Sequence, residues 1–208
     1  MKQGTIPKAT VARLPLYLQC MQSMAPTETT VSSETLARMA NLNPANVRKD
    51  LSFLGSHGVR GVGYDRLHLC MQIKLELGLI EAWQVIIVGV GNLGSALANY
   101  GGFEAAGFDV VGLYDADPEK IGMEFHGHMV RPVSALASDI AGSPIAMAII
   151  TTPALAAQEI ADTLVDCGIR SILNFAPAVI QTPPGVECRH VDLATELQIL
   201  SYYQARQA

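Results

Sequence analysis

The stretch that decides the fold runs from Val85 to Asp115, VIIVGVGNLGSALANYGGFEAAGFDVVGLYD. Its apolar start, Val85-Ile86-Ile87-Val88, predicts a buried strand. The strand leads into Gly89-Val90-Gly91-Asn92-Leu93-Gly94, which has the GxGxxG spacing, and a helical stretch follows from Ser95 to about Phe103. A second apolar run, Val110 to Tyr114, stops at Asp115, 21 positions after Gly94. Each glycine has a physical reason. Gly89 permits a tight turn out of the strand, Gly91 lets a ligand approach the backbone, and Gly94 lets helix and strand pack closely.

A strand, a glycine turn, a helix and a distant acid form a dinucleotide-binding pattern. The helix N-terminus offers free N–H groups and a positive dipole end to a pyrophosphate. Asp115 is placed to accept hydrogen bonds from both hydroxyls of an adenosine ribose and to repel a 2′-phosphate, which favours NAD⁺ and NADH over their phosphorylated relatives. The alternative is a glycine-rich turn with a purely structural role.

Downstream, apolar runs alternate with helical stretches. Ile145–Ile150 predicts a strand, Ala156–Cys167 an amphipathic helix closed by Gly168, and Ser171–Phe175 another strand. Residues 123–131 read as strand or loop, and Val133–Ile140 as a helix. The alternation implies a parallel, doubly wound Rossmann-type sheet, so an α/β fold. Ligands bind such sheets at the carboxyl ends of strands. That nominates the loops holding Thr151, Thr152 and Pro153, and Asn174, Phe175, Ala176 and Pro177, for the nicotinamide side; ordinary strand-end turns are the alternative.

Charge divides the chain differently. The net charge of −5 combines +4 over residues 1–70, from eight Lys/Arg against four Asp/Glu, with −9 over the remainder. A basic N-terminal segment on an acidic body suits a polyanionic partner. Residues 1–10 read as extended, and Arg13 to Met24 as a first helix with Pro15 in its first turn and Leu14, Leu18 and Met21 on one face. Ser32 or Ser33 caps a second helix that buries Leu36 and Met39. Asn43-Pro44 starts a third, which ends at Gly55. Two helices joined by Asn41-Leu42-Asn43 make a helix-turn-helix. Val47, Leu51 and Leu54 point inward, which leaves Asn46, Arg48, Lys49 and Ser52 to reach phosphates and base edges. The hairpin Gly58–Tyr64 reads as the wing of a winged helix, with Arg60 at its tip and Tyr64 at its base. Leu67–Leu79 is a helix or a connector. The boundaries expected are 1–80 for the winged helix, 81–190 for the Rossmann domain and 191–208 for a terminal helix. Asp192 caps that helix, and Leu193, Leu197 and Leu200 stripe it.

Several classes are disfavoured. Half of the residues are hydrophobic, which suits a sizeable core rather than disorder. No apolar run reaches the roughly 18–20 residues of a membrane span, and no signal peptide is read at the N-terminus, so a cytoplasmic protein is expected. Cys20, Cys70, Cys167 and Cys188 form no CxxC pair, and His126 and His128 have no nearby cysteine, so no metal site is expected. The rival function is an NAD-dependent oxidoreductase with an N-terminal extension. It lacks a convincing acid–base dyad and a Tyr-x-x-x-Lys, and its only candidates are the isolated His126, His128 and His190.

The chain resembles the bacterial Rex family of redox-sensing transcriptional repressors over nearly its whole length. The likeness rests on Ile6-Pro7…Thr10…Arg13-Leu14-Pro15-Leu16-Tyr17, on Val47-Arg48-Lys49-Asp50-Leu51, on Gly58–Tyr64 and on Val88–Leu97. It continues through Ile172–Pro177 and Asp192–Gln198. Phe53-Leu54-Gly55 departs from the aromatic often found before that glycine. The resemblance implies a homodimer whose last helix is swapped between subunits, bound to a palindromic, A·T-rich operator. It also implies release of DNA when NADH binds, competition by NAD⁺, and control of fermentation and respiration genes. By the same resemblance Tyr100 lies near the nicotinamide, and Arg13 and Asp192 form a switchable ion pair between the DNA-binding helix and the swapped helix.

Overall fold

Capping side chains start the N-terminal helices where the sequence places them. The computed structural model describes residues 6–55, 58–59 and 61–206. The chain divides into two compact units between Glu81 and Ala82. In the first, α1 (Lys8–Val11) is one short turn where an extended segment was expected. The Thr10 side chain is buried and donates to Asp50 at 2.8 Å, which ties the turn down. α2 (Leu14–Gln22) carries Pro15 in its first turn and buries Leu14, Tyr17, Leu18 and Met21. After β1 (Thr30–Val31), α3 (Ser33–Ala40) opens with Ser32 Oγ accepting from the Thr35 N–H at 3.0 Å. α4 (Pro44–Phe53) opens with Asn43 Oδ1 accepting from the Ala45 N–H at 2.8 Å. Asn41 adopts a left-handed φ of 53° and turns the chain between the two helices. Leu36, Val47, Leu51 and Leu54 are buried as their spacing requires, but Met39 is exposed, because Leu36 and Ala37 take the core-facing positions of α3.

β2 (Tyr64–Asp65) pairs antiparallel with β1, and Val59 bridges Gly63 across the hairpin. Asp65 caps α5 (Arg66–Glu76), which settles residues 67–79 mostly as helix. Helices α2, α3, α4 and α5 share one core with the small hairpin and make the winged helix-turn-helix. Its core is built around Tyr17, Leu36, Leu51 and Ile73.

The second unit is a seven-stranded sheet. Its elements are β3 (Trp83–Val88), α6 (Asn92–Ala98), α7 (Gly102–Ala105), β4 (Phe108–Asp115), β5 (Glu124–Phe125), β6 (His128–Pro132), α8 (Leu136–Ile140), β7 (Met147–Ile150), α9 (Ala154–Asp166), β8 (Ser171–Asn174), β9 (Glu187–His190) and α10 (Leu193–Gln204). The strand order is β5-β6-β4-β3-β7-β8-β9, parallel except for the β5–β6 hairpin. α9 and α8 cover one face, over Ile86, Val88, Ala148 and Ile150. α6 and α7 lie on the other, over Val85, Ile87, Leu113 and Ile149. Successive strands run outward in opposite directions from β3, so the crevice for a ligand opens beside β3, at the end where Gly89 and Thr151 leave the sheet.

The helix expected from Ser95 to Phe103 breaks into α6 and α7. Asn99 turns its amide back onto the Ser95 carbonyl at 2.7 Å, and two glycines follow. β9 was not anticipated. It is a polar edge strand, Glu-Cys-Arg-His, held by parallel pairing to β8. α10 forms as expected but buries none of its residues.

Candidate nucleotide and nucleic-acid sites

Gly89 leaves β3 at φ 98°, and a Cβ there would meet the Thr151 backbone at 2.8 Å. A Cβ on Gly94 would overlap the Gly89 carbonyl oxygen, so α6 can start this close to the strand only without a side chain. A Cβ on Gly91 would meet nothing within 4 Å, which leaves open space beside the loop. The Thr151 hydroxyl donates to the Gly89 carbonyl, and the Thr151 N–H to the Val88 carbonyl at 2.9 Å, so the loops after β3 and β7 are tied together. No side chain caps α6, which leaves its first N–H groups for a ligand.

Asp115 closes the site and is only 8% exposed. Its Oδ2 accepts from the Val90 N–H at 2.6 Å and from Lys120 Nζ at 3.2 Å; its Oδ1 accepts from the Asp117 N–H at 2.9 Å. Burial alone would push this carboxyl up. The two backbone N–H groups and Lys120 outweigh burial and hold it below the usual carboxylate range, so it stays ionised.

Asn174 is fully buried and shapes the loop after β8. Its Oδ1 accepts from the Ala176 N–H at 2.9 Å, its amide donates to the Ala178 carbonyl at 2.8 Å, and Nδ2 lies 3.2 Å from Nδ1 of His190. Phe175 donates its N–H to the Ile150 carbonyl. Ala176 is buried, while Pro153 and Pro177 are exposed at the rim. The Thr152 hydroxyl is buried with no hydrogen-bond partner. An open glycine cradle, an ionised acid and an orphaned hydroxyl fit a dinucleotide better than a purely structural turn.

In the first unit, Asn46, Arg48, Lys49 and Ser52 are all exposed on α4. Arg48 is partly engaged, with Nη1 donating to Glu34 at 3.0 Å and to Ser33 at 3.2 Å, and the Ser52 hydroxyl turns back to the Lys49 carbonyl. Tyr64 is half-buried against the core, and a Cβ on Gly58 would touch its ring at 3.0 Å, so its ring braces the hairpin. Arg60 lies outside the described residues.

Residues 5–52 match the family model described as putative DNA-binding protein N-terminus, and residues 80–178 the one described as CoA binding domain. A redox-sensing transcriptional repressor Rex of Streptomyces avermitilis is 52% identical over 98% of this chain and 81% of its own length. That of Desulfitobacterium hafniense is 43% identical over 97% of both. The chain belongs to the Rex family of redox-sensing transcriptional repressors. The Rex-family repressor RSP, solved with β-NAD⁺ and operator DNA, superposes with a TM-score of 0.91 at 32% identity, over 98% of this chain and 94% of that one. RSP with β-NADH gives 0.87 at 30% identity, over 98% and 96%. The oxidoreductase alternative is set aside, because the relatives are repressors.

Three residues that the Rex resemblance singles out have local surroundings of their own. Tyr100 is not beside the glycine loop of its own chain. It follows the far end of α6, edge-on to Phe103 with ring centroids 5.2 Å apart. There it lines an apolar cavity of about 600 Å³ with Phe103, Phe108, Met147 and Leu173. Arg13 clasps Asp50 with Nε and Nη2, both at 2.7 Å. Asp192 caps α10, accepting from the Ala194 N–H and the Thr195 hydroxyl, both at 2.9 Å.

Sequence reasoning gave no role to Asp50 or to Lys120. Asp50 carried a signal, an acid three residues after Val47 on the inward face of α4. Lys120 carried none beyond its place in a turn. No group of three or more metal-ligating side chains occurs among the described residues, and no helix there is long and apolar enough to cross a membrane.

Proposed function

We propose that this chain is a cytoplasmic, homodimeric repressor that holds a palindromic, A·T-rich operator when NADH is scarce and releases it when NADH binds. One observation carries the reading: a single chain joins a helix-turn-helix to a glycine loop with a buried, ionised acid at its ribose end. Relatives of the same fold bind NAD⁺ with operator DNA, and NADH. Gly89 to Gly94 and the α6 N-terminus receive the pyrophosphate, and Asp115 the adenosine ribose. Thr151, Thr152, Pro153 and Asn174 to Pro177 frame the nicotinamide end. Asp115 also opposes a phosphorylated ribose, so the 3′-phosphate of CoA is disfavoured along with the 2′-phosphate of NADPH.

NADH and NAD⁺ differ by a hydride and one positive charge on the ring, and a ligand shifts a conformational equilibrium only by its affinity ratio for the two states. Tyr100, which lines the apolar cavity with Phe103 and Phe108, is assigned to the nicotinamide end. Arg13, partly exposed beside Asp50, pairs with Asp192 of a second copy in one of the two states. On DNA, Asn46, Lys49 and Ser52 read the groove, Arg48 joins after exchanging Glu34 for phosphate, and Arg60 and Tyr64 serve the wing.

Fluorescence anisotropy of a labelled operator tests this reading. NADH releases the DNA, whereas NAD⁺ at equal concentration does not, and Asp192→Ala blunts the response. Binding indifferent to both nucleotides refutes the redox gate, and an Asp192→Ala protein with the normal response refutes the ion-pair switch.

The dimer rests on α10. Leu193, Leu197, Ile199, Leu200, Tyr202 and Tyr203 are all exposed on it, and α5 shows a second exposed stripe at Leu67, Met71 and Leu75. Burying each leucine is worth about 1.5–3 kcal/mol, so a partner surface is the ready explanation. Leu197→Asp with Leu200→Asp should yield a monomer by light scattering. A dimer of unchanged dissociation constant rejects α10 as the contact.

A further inference from the structure

Asp115 has few acceptor positions left for the two hydroxyls of a ribose. A carboxylate offers about four lone-pair positions. Three of those of Asp115 are taken: two at Oδ2, by Val90 N–H and Lys120 Nζ, and one at Oδ1, by Asp117 N–H. One position at Oδ1 remains, while a ribose presents two hydroxyls. Lys120 supplies what is missing. Its turn is built locally: the Lys120 N–H donates to the Asp117 carbonyl at 3.1 Å, and the Glu119 N–H to Asp117 Oδ1 at 3.0 Å. This brings Nζ to 3.2 Å from Asp115 and 3.6 Å from Asp117 Oδ2. One of its three protons is bonded to Asp115, the contact with Asp117 is an ion pair too long for a hydrogen bond, and a proton is left for a ligand.

We propose that Asp115 and Lys120 read the adenosine ribose as an acceptor–donor pair: Asp115 accepts from one hydroxyl, and Lys120 donates to the oxygen of the other. This rests on the dinucleotide reading above and adds Lys120 as a specificity-determining residue. A lone lysine here would attract a ribose phosphate. Two carboxylates against one ammonium keep the cluster net negative, so Lys120 contributes its proton without inviting NADPH or CoA.

The test is titration calorimetry on the full chain with NAD⁺, with NAD⁺ analogues lacking either the 2′- or the 3′-hydroxyl of the adenosine ribose, and with NADPH. Lys120→Met should weaken NAD⁺ about 10-fold, the scale of one charge-assisted hydrogen bond. It should then lose nothing further with one of the two deoxy analogues, while remaining sensitive to the other. Lys120→Arg should stay within about 3-fold of the parent, keep the parent pattern and still refuse NADPH. A purely structural lysine gives a different result: Lys120→Met weakens all ligands by one factor, and that outcome overturns the proposal, as does unchanged NAD⁺ affinity. Should Lys120→Met fail to fold, Lys120→Arg with the deoxy analogues decides: a parent-like pattern supports the pair, and indifference to both hydroxyls refutes it. A parent protein that binds neither NAD⁺ nor NADH takes down the dinucleotide reading itself, and the two failures are thereby told apart.

Discussion

Asp50→Ala is expected to destabilise the winged-helix unit by about 2–4 kcal/mol, because the Thr10 and Tyr17 hydroxyls lose a charged acceptor while the partly exposed Arg13 guanidinium can turn to water. The carboxylate is 1% exposed and receives four donors: Arg13 Nε and Nη2, the Tyr17 hydroxyl and the Thr10 hydroxyl, at 2.7–2.8 Å. Its four lone-pair positions are filled, and it joins α1, α2 and α4. The alanine leaves a guanidinium and two hydroxyls without their acceptor. A unit of this size has a total stability of the order of 5–15 kcal/mol, so its melting temperature should fall and operator binding at 37 °C should weaken. Urea denaturation followed by circular dichroism measures the loss, and a change below about 1 kcal/mol would refute the account.

The pH dependence follows with its sign. Burial raises the Asp50 carboxyl, but bonds from Arg13, Tyr17 and Thr10 and the charge of Arg13 outweigh it, so its folded value lies below the ordinary one. Its contribution is therefore complete above about pH 3.9, the unfolded value, and is lost as pH falls below that. Burial first, then the bond to Asp50, pushes the Tyr17 hydroxyl up. That contribution is complete below about pH 10 and is lost as pH rises beyond it. The acid limb should flatten in Asp50→Ala.

Gly94→Ala is expected to cut NADH affinity by more than about 100-fold, or about 2.8 kcal/mol. The new methyl would overlap the Gly89 carbonyl oxygen and stand 2.8 Å from the Thr151 hydroxyl. Both neighbours are fixed, one as backbone and the other by its bond to that same carbonyl. α6 must move away from β3, and with it the N–H groups meant for the pyrophosphate. Gly91→Ala is the control for space, since its methyl meets nothing in the chain and clashes only with a bound ligand. It should fold like the parent and still bind NADH poorly. NADH fluorescence titration reads both variants. Parent-like binding by Gly94→Ala would mean that the helix end does not hold the phosphates.

Much of this was legible because local chemistry has short-range rules. Ser32, Asn43, Pro15 and Gly55 mark helix ends, and each lies where the rule puts it. The glycine turn after β3 and the place of Asp115 at the end of β4 follow from spacing. Other features depend on neighbours that the sequence does not order. Met39 has helical spacing from Leu36, but the stripe facing the core is narrower than the spacing suggests. β9 has no apolar alternation because it is an edge that needs one partner only. Lys120 acts on Asp115 through a turn whose closure depends on Asp117, and no periodicity reports such a return. Arg13 was assigned a distant partner, while its nearest acid, Asp50, sat unremarked on the inward face of α4.

α10 keeps all twelve of its residues in water within a single chain. If a second copy covers that surface, the active species is bimolecular. Its amount then falls with the square of chain concentration once the protein is dilute, and its melting temperature drifts with dilution. Operator occupancy would answer to two quantities at once, the reduction state of the nicotinamide pool and the number of repressor chains in the cell. A modest fall in synthesis would derepress the target genes without any change in NADH.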